Sequence, residues 1–302
     1  MIEMRSLSIS DREIIVPFMR KWRYWASDGA FANLFVWQAL YRTRFCVEDG
    51  FLFLNGGCSG DMAFCGFMLP LGDGDVAAAL EKVREYCISS GVRPRLIGLV
   101  PSMRDRLDSL FPGEFEFSEN RDEADYIYLS DSLARLPGKR FHSKRNLIAG
   151  FLEDYYGRFS LEDISGSNVD DVRAFQEKWL RGHGSPRSMM DENDAIGVFL
   201  DNFDALEAKG IALRIDGEIA AYTMGTPVDS DLFVVEFEKA DASVRGAYQF
   251  INRSFAERLM SYKYLNREDD MGVEGLRKAK LSYHPDLVLM KYEAVWRKDG
   301  HS

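Results

Sequence analysis

The sequence has 302 residues, of which 46% are hydrophobic and 28% charged, with a formal net charge of −10. Those totals are a soluble globular protein's, with enough chain for two ordinary domains or one large one. They argue against non-specific nucleic-acid binding through the whole surface, and no apolar run is long enough to offer a transmembrane helix. The N-terminus, MIEMRSLSISDREIIV, has early acids and no apolar core, so no secretory signal is expected and the cytoplasm is the default compartment.

In chain order, the aromatic-rich segment from about Ala30 has Phe31, Leu34, Phe35 and Ala39 at helical spacing. FCVEDGFLFL reads as a hairpin turning at Asp49-Gly50, and MAFCGFMLPL as a further strand. A helix is expected from Asp75 to Ser89, closed by Gly91. RLIGLV (strand), SMRDRLDSLF (helix) and YIYLS (strand) complete a mixed first half. Cys46, Cys58, Cys65 and Cys87 lack CxxC spacing and have no histidine nearby. They are expected to be ordinary thiols, and no metal is expected.

LPGKRFHSKRNLIAGFLEDY predicts a helix after Pro137-Gly138, with Leu147, Ile148, Phe151 and Leu152 as one apolar stripe. The stretch from Ser132 to Gly150 holds Arg135, Lys139, Arg140, Lys144 and Arg145 and no acid. In so acidic a chain it is a candidate phosphate-contacting element, or else a solvated helix beside a domain junction. Helices are then expected near 168–181 and 192–209, and a hairpin through Asp216-Gly217. LFVVEFEKA (strand), RGAYQFINRSFAERLMSY (helix), KYLNRED (strand), VEGLRKAKLSY (helix) and DLVLMKYEAVW (strand) end the order. The expected fold is α/β with mixed sheets in two domains, 1–135 and 136–302.

The strand-to-helix step at Arg245-Gly246 leaves backbone N–H groups free to meet a phosphate. On the preceding strand Val234, Glu236 and Glu238 share a face. The two glutamates are candidates for a general base, against the alternative of an edge strand with a solvated face. Asn266 and Glu268 alternate on the next strand end, and Asp269 and Asp270 lead into the last helix, where capping is explanation enough for Asp270. Beyond them, Leu276, Ala279, Lys280 and Tyr283 fall along one side. Tyr283 is a candidate proton donor, with Arg277 or Lys280 stabilising negative charge, against the alternative of a solvated basic helix. No Ser/His/Asp set, P-loop or dinucleotide glycine motif is present.

SDGAFANLFVWQ (27–38), LPGKRFHSKRNLIAGF (136–151), RGAYQFIN (245–252) and NREDDMGVEGLRKAKLSYHP (266–285) occur in that order. Together they resemble an uncharacterised bacterial family related to the C-terminal domain of phosphatidylglycerol lysyltransferases. The resemblance implies two tandem GNAT-like domains, as in Fem-type aminoacyltransferases, with the basic helix at the junction. It implies transfer of an acyl or aminoacyl group to an amine or hydroxyl of a small molecule or lipid headgroup. The donor would be aminoacyl-tRNA, held at a local basic site, or acyl-CoA, with no tightly bound cofactor; the alternative to an enzyme is a non-catalytic binding module on the same fold. Residue by residue, Arg245, Gly246 and Gln249 match the donor-phosphate position, with Asn252 in the same motif. Tyr283 matches the general acid, and Glu236 or Glu238 the base. Lys139, Arg140, Lys144, Arg145, Asn266, Glu268, Arg277 and Lys280 complete the expected donor site. The glycine turn departs from the fuller GNAT signature at Ala247 and Gln249.

Overall fold

Asp49 and Gly50 both have positive φ (49° and 77°), and so do Asp216 and Gly217 (51° and 90°). This is the conformation of two-residue hairpin turns whose twist matches their strands, and it sets the register on either side. The structure is a computed structural model that describes residues 2–56, 66–184 and 186–297. Cys58 and the first four residues of MAFCGFMLPL, Cys65 among them, lie outside the described residues.

Strand β1 (Arg5–Ser6) and helices α1 (Arg12–Lys21), α2 (Phe31–Val36) and α3 (Gln38–Tyr41) precede β2 (Arg44–Glu48), β3 (Phe51–Gly56), β4 (Gly66–Phe67) and β5 (Leu71–Gly72). Helix α4 (Val76–Ser89) is capped by Asp75, whose carboxylate accepts from the N–H groups of Ala77 and Ala78. Then come β6 (Arg95–Leu99), α5 (Pro101–Leu110), β7 (Phe115–Glu119), β8 (Asp125–Leu129), α6 (Ser130–Arg135) and α7 (His142–Asp154). They are followed by β9 (Phe159–Asp163), α8 (Val169–Gly182), α9 (Arg187–Asp201), β10 (Lys209–Ile215), β11 (Glu218–Pro227) and β12 (Leu232–Ala240). The order ends with α10 (Ala247–Arg258), β13 (Tyr264–Asn266), α11 (Glu274–Leu281), β14 (Leu287–Leu289) and β15 (Tyr292–Trp296).

One sheet has the order β1-β2-β3-β4-β6-β15-β7, with β5 also on β3; the other runs β14-β8-β13-β12-β11-β10-β9. The chain forms two compact units, and neither is continuous in sequence. The first comprises Met1–Asp125, Asp269–Leu276 and Val288–Ser302, and the second Tyr126–Glu268 and Arg277–Leu287. The division therefore differs from consecutive domains 1–135 and 136–302. Tyr126, Ile127 and Tyr128 are 0%, 1% and 1% exposed, so both faces of β8 need cover, and the strand lies inside the second sheet. The run DLVLMKYEAVW, expected as one strand, breaks between Leu289 and Tyr292. Its second piece, β15, pairs antiparallel with both β6 and β7.

Two strands, FEFSE (β7) and FSLED (β9), were not expected, because short acid-containing runs carry little strand signal. The helix expected over 192–209 instead starts behind Pro186 and ends at Asp201. Of the cysteines, Cys87 is buried and Cys46 half-buried, and burial pushes both thiols up to about 11.

Within the first unit the break in the last run has a physical cause. Lys291 is 3% exposed, and its ammonium lies 2.6 Å from Asp28 Oδ2, 3.1 Å from Asp125 Oδ1 and 3.8 Å from Asp269 Oδ2. Burial alone would push its pKa down, but the carboxylates of Asp125, Asp28 and Asp269 outweigh that and hold it well above the usual lysine value. Asp125 is fully buried and also accepts from the backbone N–H and hydroxyl of Ser27. Asp270, another fully buried acid, accepts from the N–H of Gly272 and faces Arg121 at 3.5 Å. It organises the turn that leads into α11. Replacing Lys291 by Met leaves buried carboxylates without their cation, so Lys291→Met is expected to cost about 3–5 kcal/mol in urea unfolding. Asp125→Asn added to it should recover part of that loss, because the two sites share one network.

Candidate functional site

Strands β12 and β13 are parallel and pair from Leu232↔Tyr264 to Val234↔Asn266. β12 then continues to Ala240 against β11, while the chain after Asn266 turns to β8, where Arg267 N–H donates to the Tyr126 carbonyl. The carboxyl half of β12 is thus left facing the residues that follow β13. Side chains, rather than a ladder, fill that divergence.

Arg267 Nη2 donates to Glu238 Oε1 at 2.9 Å, with both side chains largely buried (14% and 11% exposed). Asn252 of α10, 4% exposed, donates through Nδ2 to Glu238 Oε2 at 3.1 Å. The Arg267 guanidinium lies 5.1 Å from the ring centre of Tyr283 and 5.8 Å from that of Tyr128. Lys144 of α7 places its ammonium 4.1 Å from the Tyr283 ring centre. Burial, and then the charge of Arg267, push the Lys144 pKa down. Burial raises the pKa of the Tyr283 hydroxyl despite the opposing pull of Arg267, so the phenol keeps its proton at neutral pH. Lys280 donates to the Arg267 carbonyl at 2.6 Å, and its own carbonyl accepts from the Tyr128 hydroxyl at 2.8 Å.

Thr223 lies directly across the ladder from Glu238. Thr223 Oγ1, Glu236 Oε2, Asn252 Oδ1 and Arg267 Nη1 are all buried with no hydrogen-bond partner among the described residues. Buried polar atoms are ordinarily paired, and each exception needs a reason. A polar seam with several exceptions can hold a polar ligand.

Glu236 is 7% exposed on an interior strand, which rules out the solvated-face alternative for it. It accepts from the Thr226 hydroxyl, and a β-bulge at Met224/Gly225 makes its room. A Cβ at Gly225 would stand 2.7 Å from Glu236 Oε2. Burial, with Glu268 adding to it, holds the Glu236 pKa well above the usual carboxylate range.

The structure therefore brings together Glu238, Asn252, Tyr283, Lys144 and Lys280, with Glu236 on the same strand. It uses other expected residues differently. Arg145 Nη1 donates to the carbonyls of Leu136 and Gly138, closing the turn after α6. Gly246 has φ 86°, and a Cβ there would meet the Leu147 carbonyl at 2.4 Å, so the close approach at this glycine is to α7. Arg245 is exposed and Gln249 half-buried. Lys139 and Arg140 are exposed just before α7, and Arg277 is half-buried on α11. Asn266 is fully buried and accepts from the N–H of Glu268, which has φ 58°. Tyr283 lies beyond the end of α11 and is 5% exposed, so the solvated-helix alternative does not apply to it. Arg267, the central cation, was not anticipated, although as the odd residue between Asn266 and Glu268 its side chain belongs on the opposite side of the strand end.

The raised Glu236 pKa has a measurable consequence. The folded chain keeps a proton that the unfolded chain releases above about 4.3, so unfolding releases protons and stability falls as pH rises until the folded group ionises. Glu236→Gln carries no such proton. Thermal melts should show it gaining on the parent by up to about 1.4 kcal/mol per pH unit above about pH 4.3. A constant difference across pH would show that Glu236 ionises normally.

Among known proteins, a conserved protein of unknown function from Bacteroides thetaiotaomicron is 37% identical with a TM-score of 0.93, covering 98% of this chain and 100% of its own. The C-terminal domain of a putative lysylphosphatidylglycerol synthetase from Agrobacterium fabrum shares the fold at 15% identity and TM-score 0.67, over 96% of this chain and 93% of its own. A tandem GNAT protein from the clavulanic acid biosynthesis pathway does so at 10% identity and TM-score 0.50, over 99% of each chain. An uncharacterised protein of Mycoplasmoides gallisepticum is 21% identical over 170 residues, 55% of this chain, and the match spans about half (54%) of that protein's length. The fold is thus the α/β arrangement of tandem GNAT-like proteins, and no helix among the described residues is long and apolar enough to cross a membrane. With residues 20–295 matching its family description, the chain belongs to the family of the phosphatidylglycerol lysyltransferase C-terminal domain.

Proposed function

We propose that the second unit catalyses transfer of an aminoacyl group from an aminoacyl-tRNA to an amine or hydroxyl acceptor. The observation that carries this reading is the Glu238–Arg267–Asn252 cluster in the divergence of β12 and β13, with unpaired polar atoms beside it. The family, named for lysyl transfer to phosphatidylglycerol, supports the reaction class.

In this scheme the acceptor's nucleophilic atom attacks the ester carbonyl carbon of the donor. Glu238 takes the proton that the nucleophile loses. Both its oxygens already accept one hydrogen bond, which leaves a carboxylate with further lone-pair capacity. The carbonyl oxygen becomes an oxyanion, and the buried Arg267 guanidinium stabilises it where little water competes. As the intermediate collapses, the C–O bond to the donor ribose breaks and the Tyr283 hydroxyl protonates the leaving oxygen. Lys144, half-buried beside Tyr283, adds positive charge next to the leaving group. Lys139 and Arg140, exposed one turn earlier, suit the phosphates of the tRNA end. The acceptor is a small-molecule amine or hydroxyl, or a lipid headgroup hydroxyl.

Incubation of the full chain with labelled lysyl-tRNA, and with phosphatidylglycerol vesicles or free amines as acceptors, should yield a labelled product. Glu238→Gln should lower kcat/KM by on the order of 10²–10⁴. Filter binding of the tRNA at low salt should weaken in Lys139→Ala/Arg140→Ala, with a shallower salt dependence. Absence of transfer to every acceptor, with tRNA affinity unchanged in that double variant, would overturn the proposal.

A further inference from the structure

Lys144 is half-buried on α7 with no acid beside it among the described residues. In this it differs from Lys82, which binds Glu48 and Asp49, from Lys239, which binds Glu192, and from Lys291, which binds Asp28 and Asp125. The neighbours of Lys144 at helical spacing are Arg140, Phe141, Leu147 and Ile148, none of them acidic. Helix α10 packs on α7, and its charged groups are engaged elsewhere: Arg253 pairs with Glu257, and Arg258 with Asp163.

What faces the amine is an aromatic ring and a second cation. The Tyr283 ring centre lies 4.1 Å from the Lys144 nitrogen and 5.1 Å from the Arg267 guanidinium. No hydrogen bond or ion pair among the described residues engages that nitrogen, and it is not among the sealed polar atoms that lack a partner, so it meets solvent. The ring attracts a cation, but partial burial strips water from it and Arg267 repels it, and the Lys144 pKa is pushed down. More of this amine is therefore unprotonated near neutral pH than of an ordinary lysine, and the unprotonated form is the nucleophile.

We propose that Lys144 is an acylation site, modified on Nζ by an anionic activated acyl donor of the acyl phosphate class. Lys139 and Arg140, exposed just before α7, draw the phosphate of such a donor toward the amine. The Nζ lone pair attacks the carbonyl carbon and the C–O bond to phosphate breaks. Phosphate departs with the proton that the nitrogen loses, leaving an uncharged amide. Acylation thus removes the cation beside Tyr283. Where the consequence rests on the transferase reading above, the modified protein lacks the charge next to the leaving group and transfers more slowly.

The test is limited acetylation of the full chain by acetyl phosphate across a pH series, quantified at each lysine by mass spectrometry, in folded protein and in urea. On folding, the half-maximal pH of Lys144 acetylation should move down. That of Lys82 should move up, since hydrogen bonds to Asp49 and Glu48 raise its pKa. At neutral pH folded Lys144 should react about tenfold or more faster than folded Lys82, and urea should bring the two together. A folded Arg267→Gln should return the Lys144 profile toward its position in urea. A Lys144 profile unmoved or raised by folding would overturn the site, and so would acetylation of the folded chain confined to other lysines. Both readings come from the unmodified protein, so they hold even if the variant fails to fold. Absence of aminoacyl transfer would remove the transferase reading and the rate consequence, while the labelling alone decides the site.

Discussion

The second unit depends on one interaction, the ion pair of Arg267 with Glu238. Parallel strands that separate expose backbone and side chains that a continuous ladder would have covered, and the interior of a sheet is a costly place for charge. Removing either partner would strand the other in a largely dry environment, which is worth several kcal/mol. The pair therefore constrains its surroundings. Asn252 must present Nδ2 to the second carboxylate oxygen, and aromatic rings line the guanidinium. Lys280 donates to the Arg267 carbonyl, and Tyr128 to the Lys280 carbonyl. The local structure of β13, α10 and the end of α11 follows from serving that one pair.

The first unit contains a buried ionic cluster of the opposite character. Lys291 has three carboxylates within 4 Å, and Asp125 among them has further donors from Ser27. Its ammonium donates to Asp28 and Asp125, with Asp269 at ion-pair distance, and neither Lys291 nor Asp125 keeps an unpartnered buried polar atom among the described residues. The Arg267 cluster does not close in this way. Its guanidinium keeps Nη1, its amide keeps Oδ1, and Thr223 keeps Oγ1 without partners among the described residues. Two clusters of similar burial thus differ in whether all their polar atoms find partners among the described residues.

Much of the local structure was legible, because hairpin turns, helix caps and helical periodicity are local signals. Asp49-Gly50, Asp216-Gly217 and Asp75 each acted through their own backbone neighbourhood. The partition of the chain was not legible. Nothing in YIYLS or KYEAVW states which sheet will accept it, since pairing partners are set by contacts far away in sequence. For the site, Glu238, Asn252 and Tyr283 could be singled out, two of them by strand parity and the register of the last helix and Asn252 by the family motif. Arg267 was hidden by the same reasoning: attention to Asn266 and Glu268 on one side of the strand end passed over the residue between them. The glycine at 246 has two readings. Glycine before a helix is required both by an approaching phosphate and by an approaching backbone, and here the backbone carbonyl of Leu147 occupies that space.

The charge state of Glu236 completes the logic of the seam. Glu236 and Glu238 sit two residues apart on one strand, and one buried arginine is paired with the second of them. Were Glu236 ionised, its charge would add to that of Glu268, and like charges disfavour one another. Burial, with Glu268 adding to it, holds the Glu236 pKa well above the usual carboxylate range, and Thr226 satisfies one of its oxygens. Glu238 is the glutamate paired with Arg267, and the bulge at Met224/Gly225 is the backbone adjustment that gives Glu236 room.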